Sequence, residues 1–198
     1  MYLKLYIGCM FSGKSTSLLN EIQRYSKITD KILIINHEFD RDRWDNDLTV
    51  HEHGIGILQT HDGKECSAII LNELKELNNN TYYAEKYASA ELIFIDEAQF
   101  YPDLFYFLRT ELHDRNVNNK RKFIVSGLSG DFLMNPIGDV LKLIPMADEI
   151  IKLDAYCVDC KDGTIASFTK RLSDDKTTVL VGNDTMYKPV CRKHYLSK

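Results

Sequence analysis

Short apolar runs alternate along the chain with segments whose apolar residues recur at every third or fourth position. The runs have the length of buried strands and cover 2–7, 31–35, 67–71, 91–95, 122–127 and 149–153. The intervening segments predict helices. These helices are expected after Ser15, over 72–90 with a break at 78–80, from Pro102, and over 137–147. Strands that alternate with helices predict an α/β domain with a mostly parallel sheet.

Three of the predicted strands end in residues that suit a ligand site. Gly8 and Asp96 each follow a strand directly, and Gly127 is the last residue of another strand. Because the carboxyl ends of parallel strands meet at one edge of the sheet, we expect these three residues to lie near a common site. The charged stretch 36–54 has no regular period, and we expect it to be a surface loop.

The octet after the first strand, G-C-M-F-S-G-K-S, matches the phosphate-binding pattern G-x-x-x-x-G-K-S without a gap. Glycine lets the backbone approach phosphate oxygens, and the loop N–H groups and the following helix attract anions. Lys14 would reach the β- and γ-phosphates, and the Ser15 hydroxyl would bind Mg²⁺. The octet therefore predicts an ATP site formed by Gly8, Cys9, Met10, Phe11, Ser12, Gly13, Lys14 and Ser15.

Two carboxylates, Asp96 and Glu97, follow the apolar run 91–95. Asp96 has the placement of the acid that completes the Mg²⁺ shell beside a phosphate loop. Glu97 comes at the open edge, where a carboxylate can accept a proton from an attacking hydroxyl. The pair alone does not choose the nucleophile: water would indicate an ATPase that moves nucleic acid, and a substrate hydroxyl a kinase. A regulator without turnover is disfavoured because both acids are present.

Three of the five cysteines lie in the last part of the chain, at Cys157, Cys160 and Cys191, and His194 follows three residues later. C-x-x-C and C-x-x-H together offer three thiolates and one imidazole, a ligand set typical of structural Zn²⁺. The runs 164–172 and 176–184 predict a hairpin between the two pairs, and a metal would supply its folding energy. We expect an ATP-binding domain over 1–155 and a small zinc-ribbon-like lid over 156–198.

The composition limits the classes of partner. The chain has 198 residues, 44% of them hydrophobic and 27% charged, which is enough for a buried core and too apolar for disorder. A net charge of −4 gives no overall attraction to nucleic acid or to an anionic membrane. No apolar run reaches the ~18 residues of a membrane span, and the first residues lack the pattern of a signal peptide. These features predict a cytoplasmic protein without nucleic-acid or membrane partners.

The motifs also occur in a distinctive order. G-C-M-F-S-G-K-S is followed by D-E-A-Q-F, by G-L-S-G-D-F, and by the Cys/His pairs around F-T-K-R and V-G-N-D-T-M-Y. In this order, from about residue 3 to residue 195, the chain resembles the type II thymidine kinases, a family with a phosphate-loop core and a zinc-held lasso loop. The resemblance implies transfer of the ATP γ-phosphate to the 5′-hydroxyl of thymidine, and also of deoxyuridine, in nucleotide salvage for DNA synthesis.

The resemblance further implies roles for individual residues. Glu97 would be the general base, and Gln99 would lie at the ATP and Mg²⁺ site near the sugar. Arg171 would stabilise developing charge, unless it is a solvated strand residue. The implied nucleoside-binding residues are Met10, Phe100, Leu128, Phe132, Thr169, Arg171, Thr178, Val179, Leu180, Val181, Gly182 and Tyr187.

Other implications concern regulation and assembly. The family implies feedback inhibition by thymidine triphosphate and a homotetramer. The chain departs from many members at His194, where cysteine is the usual fourth zinc ligand, although histidine also binds Zn²⁺. Glu52, in the stretch H-E-H-G, is a candidate contact for the nucleotide site or a residue of a flexible acidic loop.

Overall fold

Seven strands form one sheet in the computed structural model, which describes residues 1–41, 55–59, 63–113, 120–173 and 186–197. The strands are β1 (Tyr2–Gly8), β2 (Ile32–His37), β3 (Ile55–Gln59), β4 (Glu65–Leu71), β5 (Leu92–Ile95), β6 (Lys122–Leu128) and β7 (Glu149–Leu153). Their order across the sheet is β3-β4-β2-β5-β6-β1-β7. Neighbouring strands are parallel except for β3 and β4, which confirms the mostly parallel sheet.

Helices cover both faces of this sheet. They are α1 (Lys14–Tyr25), α2 (Glu38–Arg41), α3 (Glu76–Asn79), α4 (Thr81–Ser89), α5 (Leu104–His113) and α6 (Arg192–Leu196), with 3₁₀ helices at Ala98–Phe100 and Val140–Met146. The buried side of α1, formed by Leu18, Leu19 and Ile22, packs on one face. Side chains of α4 and α5 pack on the other face, around Leu3 and Leu5 of β1. These two layers confirm the predicted α/β class.

The predicted break in the helical stretch 72–90 falls at Asn80. This residue has an extended backbone, which ends α3, and its side-chain oxygen accepts the Tyr82 N–H at 3.0 Å, which begins α4. Asparagine is favoured at this position because its short side chain replaces a missing helical acceptor. The run of asparagines therefore separates two helices.

Strand β3 has no counterpart among the predicted strands. It is a five-residue edge strand, antiparallel to β4, and contains Gly56. A Cβ atom on Gly56 would lie 2.6 Å from Cγ1 of Ile70, so the neighbouring side chain occupies the space that a larger residue would need. The glycine interrupts the apolar pattern for a reason that only the packing shows.

The C-terminal segment is built from short strands around the Cys/His residues. Strands β8 (Ala155–Tyr156) and β9 (Ile165–Ala166) pair with each other, and β10 (Phe168–Arg171) pairs antiparallel with β11 (Tyr187–Val190). The predicted hairpin partner 176–184 lies outside the described residues, and the strand paired with β10 in the structure is β11. The first predicted strand, 164–172, is divided between β9 and β10.

This segment packs directly on the phosphate loop. Cys9 is buried together with Ala155, Cys157, Ala166 and Val190, and its thiol contacts the Ala166 carbonyl oxygen at 3.3 Å. The boundary between two domains near residue 155 stays a prediction. Within the described ranges, no helix combines the length and the apolar character needed to cross a membrane.

Candidate active site

The loop between β1 and α1 needs both of its glycines. A Cβ atom on Gly8 would lie 2.5 Å from the Ser12 hydroxyl oxygen and closer still to the Leu153 carbonyl oxygen of β7. Gly13 has a φ of 78°, in the left-handed region, where it precedes the first turn of α1. Close packing at one end and backbone conformation at the other therefore explain why the pattern carries glycine twice.

Two side chains turn inward within this loop. The Lys14 ammonium donates to the Cys9 carbonyl oxygen at 2.7 Å, and the Ser12 hydroxyl donates to the same oxygen at 2.9 Å. Both side chains are buried. The amine of Lys14 is thus held inside the loop, beside the N-terminus of α1, as the phosphate-site prediction requires. Binding of ATP by this loop stays a prediction.

Asp96 lies immediately after β5 and is 2% exposed. The hydroxyl of Ser126, on the neighbouring strand β6, and the backbone N–H of Glu97 (2.9 Å) both donate to its Oδ1 atom. Burial raises the pKa of Asp96, the charge of Glu97 raises it further, and hydrogen bonds from Ser126 and Ser15 oppose the rise. Ser15 and Asp96, predicted to share Mg²⁺, therefore lie together at the carboxyl edge of the sheet.

Ser126 is a residue of this site that no sequence motif marks. It is fully buried near the end of strand β6, and its hydroxyl donates to Asp96, the predicted Mg²⁺ ligand, because β5 and β6 are neighbours. In the sequence, the only indication of its role is that it is a polar residue near the end of an apolar run. Its contact with Asp96 follows from the pairing of β5 with β6.

Glu97 is buried, with 6% of its surface exposed, and its backbone is left-handed at φ 49° and ψ 39°. Such a conformation costs about 1–2 kcal/mol for a residue with a Cβ atom. The amide of Gln99 donates a hydrogen bond to its Oε2 atom. A carboxylate in a strained and enclosed position, held by a neighbouring side chain, is typical of a catalytic group.

An apolar group lies next to the loop and collects several of the implied nucleoside-binding residues. Met10, Leu128 and Tyr187 are buried in it, and Phe11, Phe132, Ile137 and Met186 pack around them. Ile137 and Met186 are not among the nucleoside-binding residues that the resemblance implies. Met10 belongs both to the loop and to the apolar group, so the predicted phosphate and base sites adjoin.

Residues of β10 and β11 complete one side of this apolar group. The Thr169 hydroxyl accepts the Met10 N–H at 3.0 Å, and the Arg171 guanidinium lies 3.7 Å from the centre of the Phe132 ring. Nε of Arg171 donates to the Tyr187 hydroxyl at 3.1 Å. Arg171 is 8% exposed, so it is not a solvated strand residue. The structure therefore brings six implied residues from four parts of the chain together.

Other implied residues lie elsewhere or outside the described ranges. The ring of Phe100 packs against His37 and Phe39, at centroid distances of 5.5 and 5.3 Å. A nucleoside contact of Phe100 stays a prediction. Glu52 and the lasso residues Thr178, Val179, Leu180, Val181 and Gly182 lie outside the described residues.

The Cys/His residues converge as a metal site requires. The ligand atoms of Cys157, Cys160, Cys191 and His194 all lie within 4.8 Å of one another. Sγ atoms of Cys160 and Cys191 are 3.7 Å apart, and Nδ1 of His194 lies 3.3–3.5 Å from the three sulfurs. A tetrahedral site with Zn–S bonds of about 2.3 Å has sulfur–sulfur edges of about 3.8 Å, so this donor set fits Zn²⁺.

The electrostatics of this cluster also favour a metal. Burial opposes ionisation of the Cys157 thiol, but backbone N–H groups of Cys191, Cys160 and Asp159, together with His194, lower its pKa to about 6. A thiolate is the form that binds zinc. The residues present therefore fit a structural zinc ion.

Comparison with known proteins gives similarity over nearly the whole chain. A family model described as thymidine kinase matches residues 1–195. The thymidine kinase of Yaba monkey tumor virus (strain VR587) is 37% identical over 194 residues, which cover 98% of this chain and 94% of that protein. For the thymidine kinase of vaccinia virus (strain Western Reserve), identity is 34% over 195 residues, or 98% and 97% of the two chains. The myxoma virus (strain Uriarra) thymidine kinase is 35% identical over 192 residues, or 96% and 94%.

Proposed function

We propose that this chain, which belongs to the thymidine kinase family, transfers the γ-phosphate of ATP to the 5′-hydroxyl of thymidine. Deoxyuridine, which lacks only the base methyl group, is the proposed second substrate. The product would be a nucleoside monophosphate recovered for DNA synthesis. Membership of the family supports a kinase acting on thymidine, and the arrangement around Glu97 supports the particular reaction.

The position of Glu97 is the observation that carries this proposal. On one side, Asp96 connects it to Ser15 and the phosphate loop. On the other side, Gln99 connects it to Leu128, a member of the apolar group around Met10. A carboxylate between a phosphate site and a nucleoside site lies where a proton must be removed from the attacking hydroxyl.

The proposed step is a direct displacement at phosphorus. Glu97 accepts the proton of the 5′-hydroxyl as the 5′-oxygen attacks the γ-phosphorus. A bond forms between these two atoms, the bond from the γ-phosphorus to the bridging oxygen breaks, and ADP leaves. Lys14 lies inside the loop, where its charge would stabilise the transferring phosphoryl group.

Two metal ions are part of the proposal. Ser15 and Asp96 would hold Mg²⁺, which would neutralise charge on the phosphates when ATP is bound. Cys157, Cys160, Cys191 and His194 would hold Zn²⁺, which would supply folding energy and no chemistry. Gly8 and Gly13 would let the loop backbone approach the phosphates.

The remaining implications of the family are proposals of the same kind. Thymidine triphosphate would inhibit, because Met10 joins the phosphate loop to the apolar group and one molecule could then fill both sites. A homotetramer, a cytoplasmic location and the division into 1–155 and 156–198 are also proposed, as are base contacts from the segment 178–182. The resemblance in sequence supports these last proposals.

Isotope transfer tests the reaction. With ATP labelled at the γ-position, we expect label in thymidine monophosphate only when thymidine is present, and label in deoxyuridine monophosphate with the second substrate. Label released as inorganic phosphate, and unaffected by thymidine, would instead indicate an ATPase and would refute the kinase proposal.

Substitution of Glu97 tests its role. Glu97→Gln removes the base but keeps the size of the side chain, so we expect turnover to fall by at least about 100-fold with ATP binding retained. Glu91→Gln is the matched control, because Glu91 precedes the same strand and pairs with Lys31 at the surface. Near-normal turnover in Glu97→Gln would show that another group accepts the proton.

A further inference from the structure

The side chain of Gln99 is fixed at both ends. It is 5% exposed, its Oε1 atom accepts the Leu128 N–H at 3.0 Å, and its Nε2 atom donates to Oε2 of Glu97. The amide thus spans from the carboxylate after β5 to the backbone at the end of β6. Both of these contacts are with protein groups, one of them the predicted general base.

The chemistry of these partners determines which way the amide points. The Leu128 N–H can only donate, so the end of the Gln99 amide that faces it must be the oxygen. The NH₂ end is then directed at Glu97, where it can only donate. A donor at this place stabilises the carboxylate in the form that accepts a proton, and it holds Oε2 at a defined position.

Two glycines make room for Gln99, Gly127 beside its side-chain amide and Gly138 beside its backbone. A Cβ atom on Gly127 would lie 3.1 Å from Oε1 of Gln99 and 2.9 Å from Cγ2 of Val140. Gly138 has a φ of 55°, and a Cβ atom there would lie 2.9 Å from the carbonyl carbon of Gln99 and overlap with its carbonyl oxygen. Glycine at these two positions therefore leaves space for the side chain and the backbone of Gln99, and the two hydrogen bonds of the amide hold it between Glu97 and Leu128.

We propose that Gln99 is a positioning residue. Its amide holds the Glu97 carboxylate at a fixed position relative to Leu128, which lines the nucleoside pocket. This inference rests on the proposed role of Glu97 as the base. It differs from the ATP and Mg²⁺ contact that the resemblance implies for Gln99. Because Leu128 is part of the apolar group, the same amide fixes the Glu97 carboxylate relative to the surface against which the nucleoside would lie.

Two substitutions at Gln99 distinguish the hydrogen bond to Glu97 from the hydrogen bond to Leu128. Gln99→Glu is nearly isosteric and keeps an acceptor for the Leu128 N–H, but its carboxylate cannot donate to Glu97. Gln99→Leu removes both hydrogen bonds. For each variant we expect kcat to fall by roughly 100-fold, the scale for a catalytic group displaced by about 1 Å, with both KM values within about threefold of the original. Gln23→Leu, on the exposed side of α1, is the control and should change neither.

A kinetic double-mutant cycle decides whether Gln99 acts through Glu97. In the Glu97→Gln background the base is absent, so Gln99→Leu should lower kcat by less than about threefold more. An undiminished loss in that background, or an unchanged kcat in both folded single variants, would overturn the inference. Should Gln99→Leu fail to fold, Gln99→Glu carries the same cycle. Full activity of Glu97→Gln alone would instead show that Glu97 is not the base of the proposed function, so the two failures are distinguishable.

Discussion

Arg171 shows how a charged residue can serve an apolar pocket. Its guanidinium lies over the Phe132 ring and its Nε atom donates to the Tyr187 hydroxyl, while its side chain is buried. A planar cation on an aromatic face contributes about 0.5–2 kcal/mol, more when it is desolvated. We infer that Arg171 supports the aromatic walls of the proposed base site by holding the rings of Phe132 and Tyr187.

Truncation of Tyr187 tests this site at the scale of one residue. Tyr187→Ala removes a buried ring and a partner of Arg171, so we expect the Kd for thymidine to rise by roughly 10- to 100-fold, equivalent to about 1.4–2.8 kcal/mol. The Kd for ATP should change by less than about threefold, since Tyr187 lies in the apolar group and not in the loop. Titration calorimetry measures both constants.

Tyr156→Ala is the control for this substitution, because the Tyr156 side chain is 70% exposed. It should leave both dissociation constants unchanged. Equal losses of thymidine and ATP affinity in Tyr187→Ala would argue against a place beside the base.

At the scale of elements, Arg121 joins α4, α5 and β6 at the edge of the sheet opposite the site. Its guanidinium lies 3.2 Å from Glu111 on α5 and donates to the Tyr87 and Ala90 carbonyl oxygens at the end of α4, at 3.1 and 3.3 Å. It also lies 4.6 Å from the centre of the Tyr87 ring. One buried cation therefore satisfies the last carbonyls of a helix and fastens it to two neighbours.

Loss of this residue should be costly to stability and neutral to catalysis. Arg121→Ala leaves Glu111 and the α4 carbonyl oxygens without their partner, so we expect the free energy of unfolding to fall by about 3–5 kcal/mol. KM for thymidine should not change, because Arg121 precedes β6 and the site follows it. Urea denaturation and initial-rate kinetics measure the two effects.

Lys31→Ala is the control for Arg121→Ala, because it also removes a cation from an ion pair but at an exposed position. Lys31 and Glu91 form an ion pair at 2.7 Å, but their side chains are 54% and 32% exposed. Water and salt screen an exposed pair, so this variant should be nearly as stable as the original protein. Similar losses in the two variants would mean that burial does not set the contribution of Arg121.

At the scale of the whole molecule, a series of contacts connects the Cys/His cluster to the phosphate loop. Lys170 on β10 donates to the carbonyl oxygens of His194 and Ser197, at 2.8 and 2.6 Å, and so ties α6 to that strand. The next residue along, Thr169, accepts the Met10 N–H. The hydroxyl of Tyr195 also donates to the Phe132 carbonyl oxygen at 2.8 Å. A metal that orders the cluster would therefore help to shape the proposed base site.

Removal of zinc tests this connection. After chelation, we expect faster hydrogen exchange in 155–173 and 186–197, and thymidine affinity at least about 10-fold weaker, before the main sheet unfolds. His194→Ala should reproduce the effect, whereas His194→Cys should retain zinc because cysteine is also a zinc ligand. Chelator saturated with zinc is the control. Unchanged thymidine affinity in metal-free protein, verified by metal analysis, would contradict the prediction.

The sequence by itself determined the features whose physical cause is local. Apolar runs and their spacing specify strands and helices, Asn80 caps a helix with its own side chain, and the glycines of the phosphate loop follow from the backbone conformation and close approach at those positions. The Cys/His pairs predict a metal site because two ligands three residues apart lie on the same turn of the chain and can bind one ion. Order and spacing of these motifs also indicated the family.

Only the tertiary structure decided the partners of buried polar groups, because those partners come from distant parts of the chain. Ser126 binds Asp96 since β5 and β6 are neighbours, and Gln99 meets both Glu97 and Leu128 since two glycines on other segments leave room for it. The pairing of β10 with β11 has the same origin. Hydrogen bonds and packing depend on three-dimensional proximity, which no local pattern encodes.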